Sequence, residues 1–265
     1  LTLLTSGANN TAIGSEALED ITTGSFNVAI GRQALKDNTE ASNNVGIGRA
    51  ALGVNTTGIQ NVAVGALALD ANTTANINTA VGYNALGANT TGTENVAIGA
   101  YALDANTTAD HNTAVGENSM SANTTGSDNT GIGKSALLVN TTGSNLTAVG
   151  RSALAANTTG TQNVAIGALA LDANTTASAN TAVGGGALGA NTTGDSNTAL
   201  GDNSLVSNTT ASNNTALGKN ALNLTTTGHS NTAVGKDALK ENTANYNVAV
   251  GHQALKENTS GEDNT

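Results

Sequence analysis

The chain has 265 residues and a formal net charge of −10, with no Pro, Cys or Trp, one Phe (Phe26) and three Tyr (Tyr83, Tyr101, Tyr246). Nine Lys and Arg leave no basic footprint for nucleic acid. The missing Cys excludes disulfides and thiolate metal sites, and no apolar run approaches the ~18 residues of a membrane span.

Charged residues at 11% are too few, and the aliphatics too strictly placed, for a disordered chain. With so few aromatics, any core is thin and built from Ala, Val, Ile and Leu.

From Asn10 the chain falls into rows of 17 residues, starting at 10, 27, 44, 61, 78, 95, 112, 129, 146, 163, 180, 197, 214 and 231. The next row starts one residue early, at Asn247, because the row before it is one residue short near Ala244. Residues 1–265 therefore read as a single uninterrupted array of 15 complete repeats over 10–263, with a partial repeat at each end. The consensus is N-T/V-A-V/I/L-G-x-x-A-L-x-x-N-T-T-G/A-x-x. Gly at position 5 and Thr at position 13 are invariant. Position 9 is Leu except for Met120, position 1 is Asn except for Leu146, and position 3 is always Ala or Gly. Leu1 falls at position 9 and Thr265 at position 2, so the array is expected to continue beyond this sequence or to stack end to end.

Within a row, residues such as Asn95-Val96-Ala97-Ile98-Gly99 alternate with period two and read as a short strand. Val96 and Ile98 share one face and Ala97 the other. The expectation is that Val96 and Ile98 point inward, where Leu103 fills the same interior, leaving position 3 as a small outer stripe. Gly99 suits positive φ or a close backbone approach, and N-T-T-G is turn chemistry. Six or seven residues between the Gly and N-T are too few for a stable helix. The predicted fold is all-β: a parallel β-solenoid, or β-roll, of 17-residue rungs stacked at about 4.8 Å. Asn at positions 1 and 12 would then form amide ladders. Position 15 alternates Gly and Ala (Gly58, Ala75, Gly92, Ala109) and breaks only at Gly143, so the coil is either one row or a 34-residue pair of rows. About three aliphatics and two Ala per rung bury little area. Oligomerisation, most plausibly as a trimer through the position-3 stripe, would supply the rest.

The runs Asn27-Val28-Ala29-Ile30-Gly31-Arg32-Gln33-Ala34 and Asn163-Val164-Ala165-Ile166-Gly167-Ala168-Leu169-Ala170 resemble the S-V-A-I-G-x-x-A motif of trimeric autotransporter adhesin heads. The resemblance covers about eight residues in every row. It implies a left-handed β-roll with three chains side by side, binding host matrix or other copies at a bacterial surface. Related repeats occur in phage tail fibres. The family unit is about fourteen residues, so the N-T-T turn is extra here, and no stalk or anchor is present in this sequence.

The N-T-T triplets at Asn55, Asn72, Asn89, Asn106, Asn123, Asn140, Asn157, Asn174, Asn191 and Asn208 match the N-glycosylation acceptor pattern. A repeated turn with an Asn ladder accounts for them without any modification, and is the preferred reading. Gly131-Ile132-Gly133-Lys134-Ser135 lacks the first Gly of a phosphate loop. His111, His229 and His252 fall at different row positions and do not converge on a metal, and Asp70, Asp104 and Asp172 recur at position 10 in non-adjacent rows. No nucleophile, base and orienting group recur together. Thr at positions 13 and 14 point oppositely, unlike an ice-binding rank.

The expected function is therefore an extracellular structural or adhesive fibre segment, the shaft or head of a surface adhesin, with no enzymatic role and no cofactor or metal. Its expected partners are its own copies, as a homotrimer or filament, and a host or matrix surface, with no nucleic acid and no membrane insertion of this segment. The alternatives are a phage or virus tail-fibre segment and an ice- or glycan-binding solenoid.

Overall fold

The structure, a computed structural model, describes residues 3–265, so Leu1 and its place in the row lie outside the described residues. Every complete row contributes one three-residue strand at positions 2–4. The first compact unit, Leu1–Asn129, holds β1 (Thr11–Ile13), β2 (Val28–Ile30), β3 (Val45–Ile47), β4 (Val62–Val64), β5 (Thr79–Val81), β6 (Val96–Ile98) and β7 (Thr113–Val115). The second, Thr130–Thr265, holds β8 (Thr130–Ile132), β9 (Thr147–Val149), β10 (Val164–Ile166), β11 (Thr181–Val183), β12 (Thr198–Leu200), β13 (Thr215–Leu217), β14 (Thr232–Val234) and β15 (Val248–Val250). Inside each unit neighbouring strands pair in parallel, in chain order, with like positions opposed: Val62 faces Thr79 and Ala63 faces Ala80. One row is thus one coil, and the short row near Ala244 is absorbed without a register slip, because Thr232 pairs with Val248. The parallel β-solenoid of 17-residue rungs is the fold.

Three residues per rung adopt left-handed backbone, at positions 7, 9 and the last of the row, all of them non-glycine except Gly186, as in Tyr101 (φ 57°), Leu103 (φ 55°) and His111 (φ 58°). These corners close a coil in only 17 residues. A left-handed Leu costs about 1–2 kcal/mol, but Leu103 is fully buried, and burial of a Leu side chain contributes about 1.5–3 kcal/mol. Burial offsets that cost in every complete row but the last, where Leu255 is 40% exposed. Gly at position 5 is required twice over: Gly99 has φ 135°, and a Cβ there would lie 2.6 Å from the Gly116 carbonyl carbon and oxygen of the next rung.

The strand faces are the reverse of the sequence expectation. Ala97 is completely buried, Val96 is half-buried, and Ile98 is 40% exposed. Position 3 points inward and positions 2 and 4 outward, because the coil is too narrow for more than a methyl group. At Gly46 an added Cβ would already touch Ala51 O at 3.0 Å and Leu35 Cγ at 3.1 Å. The stripe proposed as an outer contact surface is therefore core.

Beside the position-8 alanines and position-9 leucines, the rest of the interior is largely amide. Asn44 N–H donates to Asn27 Oδ1 one rung earlier (3.0 Å), and Asn44 Nδ2 donates to Gly58 O at position 15 of its own row (2.9 Å). The position-12 Asn55 Nδ2 donates to the same carbonyl (2.9 Å), and Asn72 Nδ2 reaches Asn55 Oδ1 one rung earlier (2.9 Å). Two ladders and one shared carbonyl thus satisfy most of the buried amides, as a low-dielectric interior demands, leaving Asn38 Oδ1 and Asn208 Oδ1 without a partner.

The Gly/Ala alternation at position 15 has a geometric counterpart. In Gly rows the amide of the position-13 threonine reaches the next rung's threonine carbonyl closely: Thr22 to Thr39 is 2.9 Å and Thr56 to Thr73 is 2.9 Å. In Ala rows the bond lengthens, with Thr39 to Thr56 and Thr73 to Thr90 both 3.4 Å. Where Gly143 breaks the alternation, two short steps follow each other, Thr141 to Thr158 at 3.0 Å and Thr158 to Thr175 at 2.8 Å. A Cβ on Gly58 would fall 2.3 Å from Ala75 O, so the tight step admits only glycine. The 34-residue period is a period of turn spacing, not of the coil.

Candidate interaction face

The outward columns of positions 2 and 4 form a ribbon two side chains wide on each unit. Position 2 is Thr or Val, and position 4 is Val, Ile or Leu in every row. Ile98, Ile132 and Ile166 are each 40% exposed and Leu200 is 47% exposed, while the position-9 leucines of the interior rungs are buried. Parallel sheets ordinarily have both faces covered. Here the coil covers one face and leaves β-branched aliphatics on the other.

Charge is unevenly divided between the two edges of this ribbon, although position 6 also holds Glu117 and Asp202. Position 6, just after the strand, carries six of the nine basic residues: Arg32 and Arg49 in the first unit, Lys134, Arg151, Lys219 and Lys236 in the second. The other three, Lys36, Lys240 and Lys256, all stand at position 10. Positions 16 and 17, just before the strand, carry no Lys or Arg but hold Glu94, Asp110 and Asp128 in the first unit and Asp195, Glu262 and Asp263 in the second. On the acidic edge His111 sits between neighbouring rungs, its Nε2 3.6 Å from Glu94 and its Nδ1 3.6 Å from Asp128.

The ten N-T-T asparagines lie inside the coil, not on this surface. All are fully buried, and each Nδ2 donates to a position-15 carbonyl, as in Asn106 to Ala109 O (3.1 Å) and Asn174 to Ala177 O (3.1 Å). The nitrogen a glycan would occupy is thus engaged in the folded coil, and attachment there requires a chain that has not yet folded. The Thr at position 13 is half-buried and its hydroxyl donates to the next rung, as Thr56 Oγ1 does to Thr73 O (3.0 Å), whereas Thr57 at position 14 is exposed.

The remaining sequence candidates are dispersed. Gly131, Ile132 and Gly133 belong to β8 and the turn after it. His229 stacks edge-on against Tyr246 at 5.1 Å. Asp70, Asp104 and Asp172 are partly buried, and desolvation holds their carboxyls above the usual range, opposed by backbone hydrogen bonds. Asp237 is lowered, chiefly by a hydrogen bond from Asn220. No group of three or more His, Asp or Glu able to hold a metal occurs among the described residues. A shallow groove lined by Gln33, Lys36, Asp37, Val54 and Asp70 brings together no nucleophile and base. No helix among the described residues is long and apolar enough to cross a membrane.

Two features escaped sequence reasoning: the outward aliphatic ribbon, and the contact between Tyr83 and Tyr101. The signal for the ribbon was there, since a position restricted to Ala and Gly in every row reports a steric ceiling. Comparison with known protein families and with curated proteins found no match for this chain.

Proposed function

We propose that this chain is a segment of an extracellular structural or adhesive fibre whose copies associate laterally, as a trimer or a filament, through the outward ribbon of positions 2 and 4. The observation that carries the reading is the aliphatic column of position 4 on each unit, exposed at Ile98 in the first and at Ile132, Ile166 and Leu200 in the second. Exposed apolar area of this regularity marks an interface. The N-V-A-I-G motif, similar to that of trimeric adhesin heads, supports the same assignment. A phage or virus tail fibre and a cell-surface adhesin share this architecture, and the proposal covers both.

Analytical ultracentrifugation tests it. The chain sediments as an oligomer at micromolar concentration, and the double variant Ile98→Lys with Val115→Lys shifts it toward monomer with its circular dichroism unchanged, because both side chains lie outside the coil. A wild-type monomer at all concentrations would refute lateral association. An ice-binding solenoid would need the same ribbon free, so ice recrystallisation inhibition by the monomeric fraction would favour that reading instead.

A further inference from the structure

His111 stands on one edge of the first unit's ribbon, two residues before β7, with carboxylates of the rungs before and after on either side of its ring. Its Nε2 lies 3.6 Å from Glu94 and its Nδ1 3.6 Å from Asp128, and all three side chains are more than half exposed. The adjacent Asp110 is engaged in its own turn, where its Oδ1 accepts from the Thr93 amide at 2.6 Å and the Thr93 hydroxyl at 3.1 Å. Two carboxylates thus share one imidazole. The sequence supplies no fixed cation around them: from residue 50 to residue 133 there is no Lys or Arg, yet Asp70, Glu94, Asp104, Asp110, Glu117 and Asp128 all fall there. His111 is the one side chain of that stretch that mild acid turns into a cation.

The opposite edge is acidic at the same strand. Glu117 stands two residues after β7, at the position that holds Arg32 and Arg49 in earlier rungs. Within one chain the strand keeps it about 20 Å from His111, at about 3.3 Å per residue, so the two do not meet there. Copies joined in parallel and in register through the ribbon bring unlike edges together, and set His111 of one copy beside Glu117 of the next. With His111 neutral, that contact opposes Glu94, Asp110 and Asp128 to Glu117, and like charges across an interface repel. With His111 protonated, an imidazolium stands between two carboxylates of its own chain and one of the neighbouring copy.

We propose that acid strengthens the association of copies, with His111 taking up the proton and Glu117 of the neighbouring copy as its partner, a regulation that rests on the lateral association proposed above. Histidine is the side chain whose ordinary titration falls between about pH 5 and 8, while ordinary carboxylates stay ionised over most of that range. Association in acid is therefore coupled to proton uptake at each His111. Raising the pH through the same range removes the imidazolium and leaves the carboxylates of the two edges opposed. One exposed ion pair contributes little by itself, but symmetry repeats the contact in every copy.

Sedimentation equilibrium of the full chain at about pH 8 and about pH 5.5, in low and in high salt, reads the switch. The expected result is an apparent association constant about fivefold or more higher in acid, with the difference shrinking in high salt because exposed charges are screened. His111→Gln removes the difference, whereas His229→Gln with His252→Gln, which leaves His111 as the only histidine, retains it. Glu117→Gln tightens association at the higher pH and flattens the response. A clamp confined to one chain would leave that response intact, since Glu117 and His111 of one chain do not meet. An oligomer with the same constant at both pH values overturns the switch and leaves lateral association standing. A response that survives His111→Gln, or that Glu117→Gln leaves unchanged, overturns it equally. A chain monomeric at every pH overturns the switch and lateral association together. Should a variant lose its β-sheet spectrum, the wild-type chain decides: a pH response that shrinks in high salt upholds the switch, and one indifferent to salt rejects it.

Discussion

At Gly46 an added methyl would already lie inside ordinary contact distance of Ala51 O (3.0 Å) and Leu35 Cγ (3.1 Å), so the alanines elsewhere at position 3 fill the space between strand and leucine corner. A larger side chain there must push the coil apart. Ala97→Val is expected to cost about 1–3 kcal/mol, the usual range for overpacking a core, while Ile98→Val on the opposite face of the same strand costs under about 1 kcal/mol. Urea denaturation of the two variants measures both, and equal costs would contradict the assignment of the faces. Titration gives a second residue-scale test. Desolvation raises the Asp104 carboxyl in the folded state, so the folded chain binds the proton more tightly than the unfolded one. Stability therefore falls as pH rises from the unfolded carboxylate value, about 3.9, through the folded one, and the penalty is absent below that window. Asp104→Asn should leave the melting temperature unchanged near pH 3 and raise it modestly at pH 7. A gap that is largest in acid would contradict that sign.

The rung joins three left-handed corners, a three-residue strand and two buried amides into one unit, and its weak points are visible where the pattern lapses. In the row from Asn214, Thr225 stands where every other complete row but the first, which has Ile21, places Asn, and its hydroxyl donates to Asn242 O (2.8 Å). It offers nothing to Asn208, whose Oδ1 is left buried without a partner. Thr225→Asn restores that donor, and the variant is expected to gain about 1 kcal/mol, the net worth of a typical buried hydrogen bond. Hydrogen exchange of the Asn208 and Asn242 rungs checks this, with slower exchange on both sides expected. Most of the rung was legible in the sequence. Asn at positions 1 and 12 announced ladders, Gly at position 5 announced positive φ or close approach, and the 17-residue spacing announced the register. The inward face was legible only in the restriction of position 3 to Ala and Gly, not in the periodicity. Period-two alternation states which residues share a side but not which side is interior, and the usual preference for burying Val and Ile over Ala pointed the wrong way.

At the scale of the whole molecule, the two charged edges constrain how copies can meet. Two copies docked face to face in parallel bring the acidic edge of one, with Glu94, Asp110 and Asp128 in the first unit, along position 6 of the other, where Arg32 and Arg49 stand two or more rungs away. Antiparallel docking sets like edges together, which opposite-sign steering disfavours. Single-cysteine variants Val62→Cys and Val164→Cys, made in a chain that has no cysteine of its own, should each cross-link to their own kind with a short bis-maleimide. Failure of both variants to cross-link to their own kind would contradict the parallel arrangement while leaving lateral association intact.

By itself the sequence determined the periodicity, the parallel stacking of one like position on another, and the turn and ladder chemistry, because each is set by residues that recur at a fixed spacing. The tertiary structure alone decided that one row closes one coil, that alanine and asparagine rather than valine and isoleucine line it, and that Tyr83 meets Tyr101. Those outcomes depend on how much room is left inside a coil of 17 residues and on which side chains adjacent rungs bring together, and no spacing along the chain encodes either.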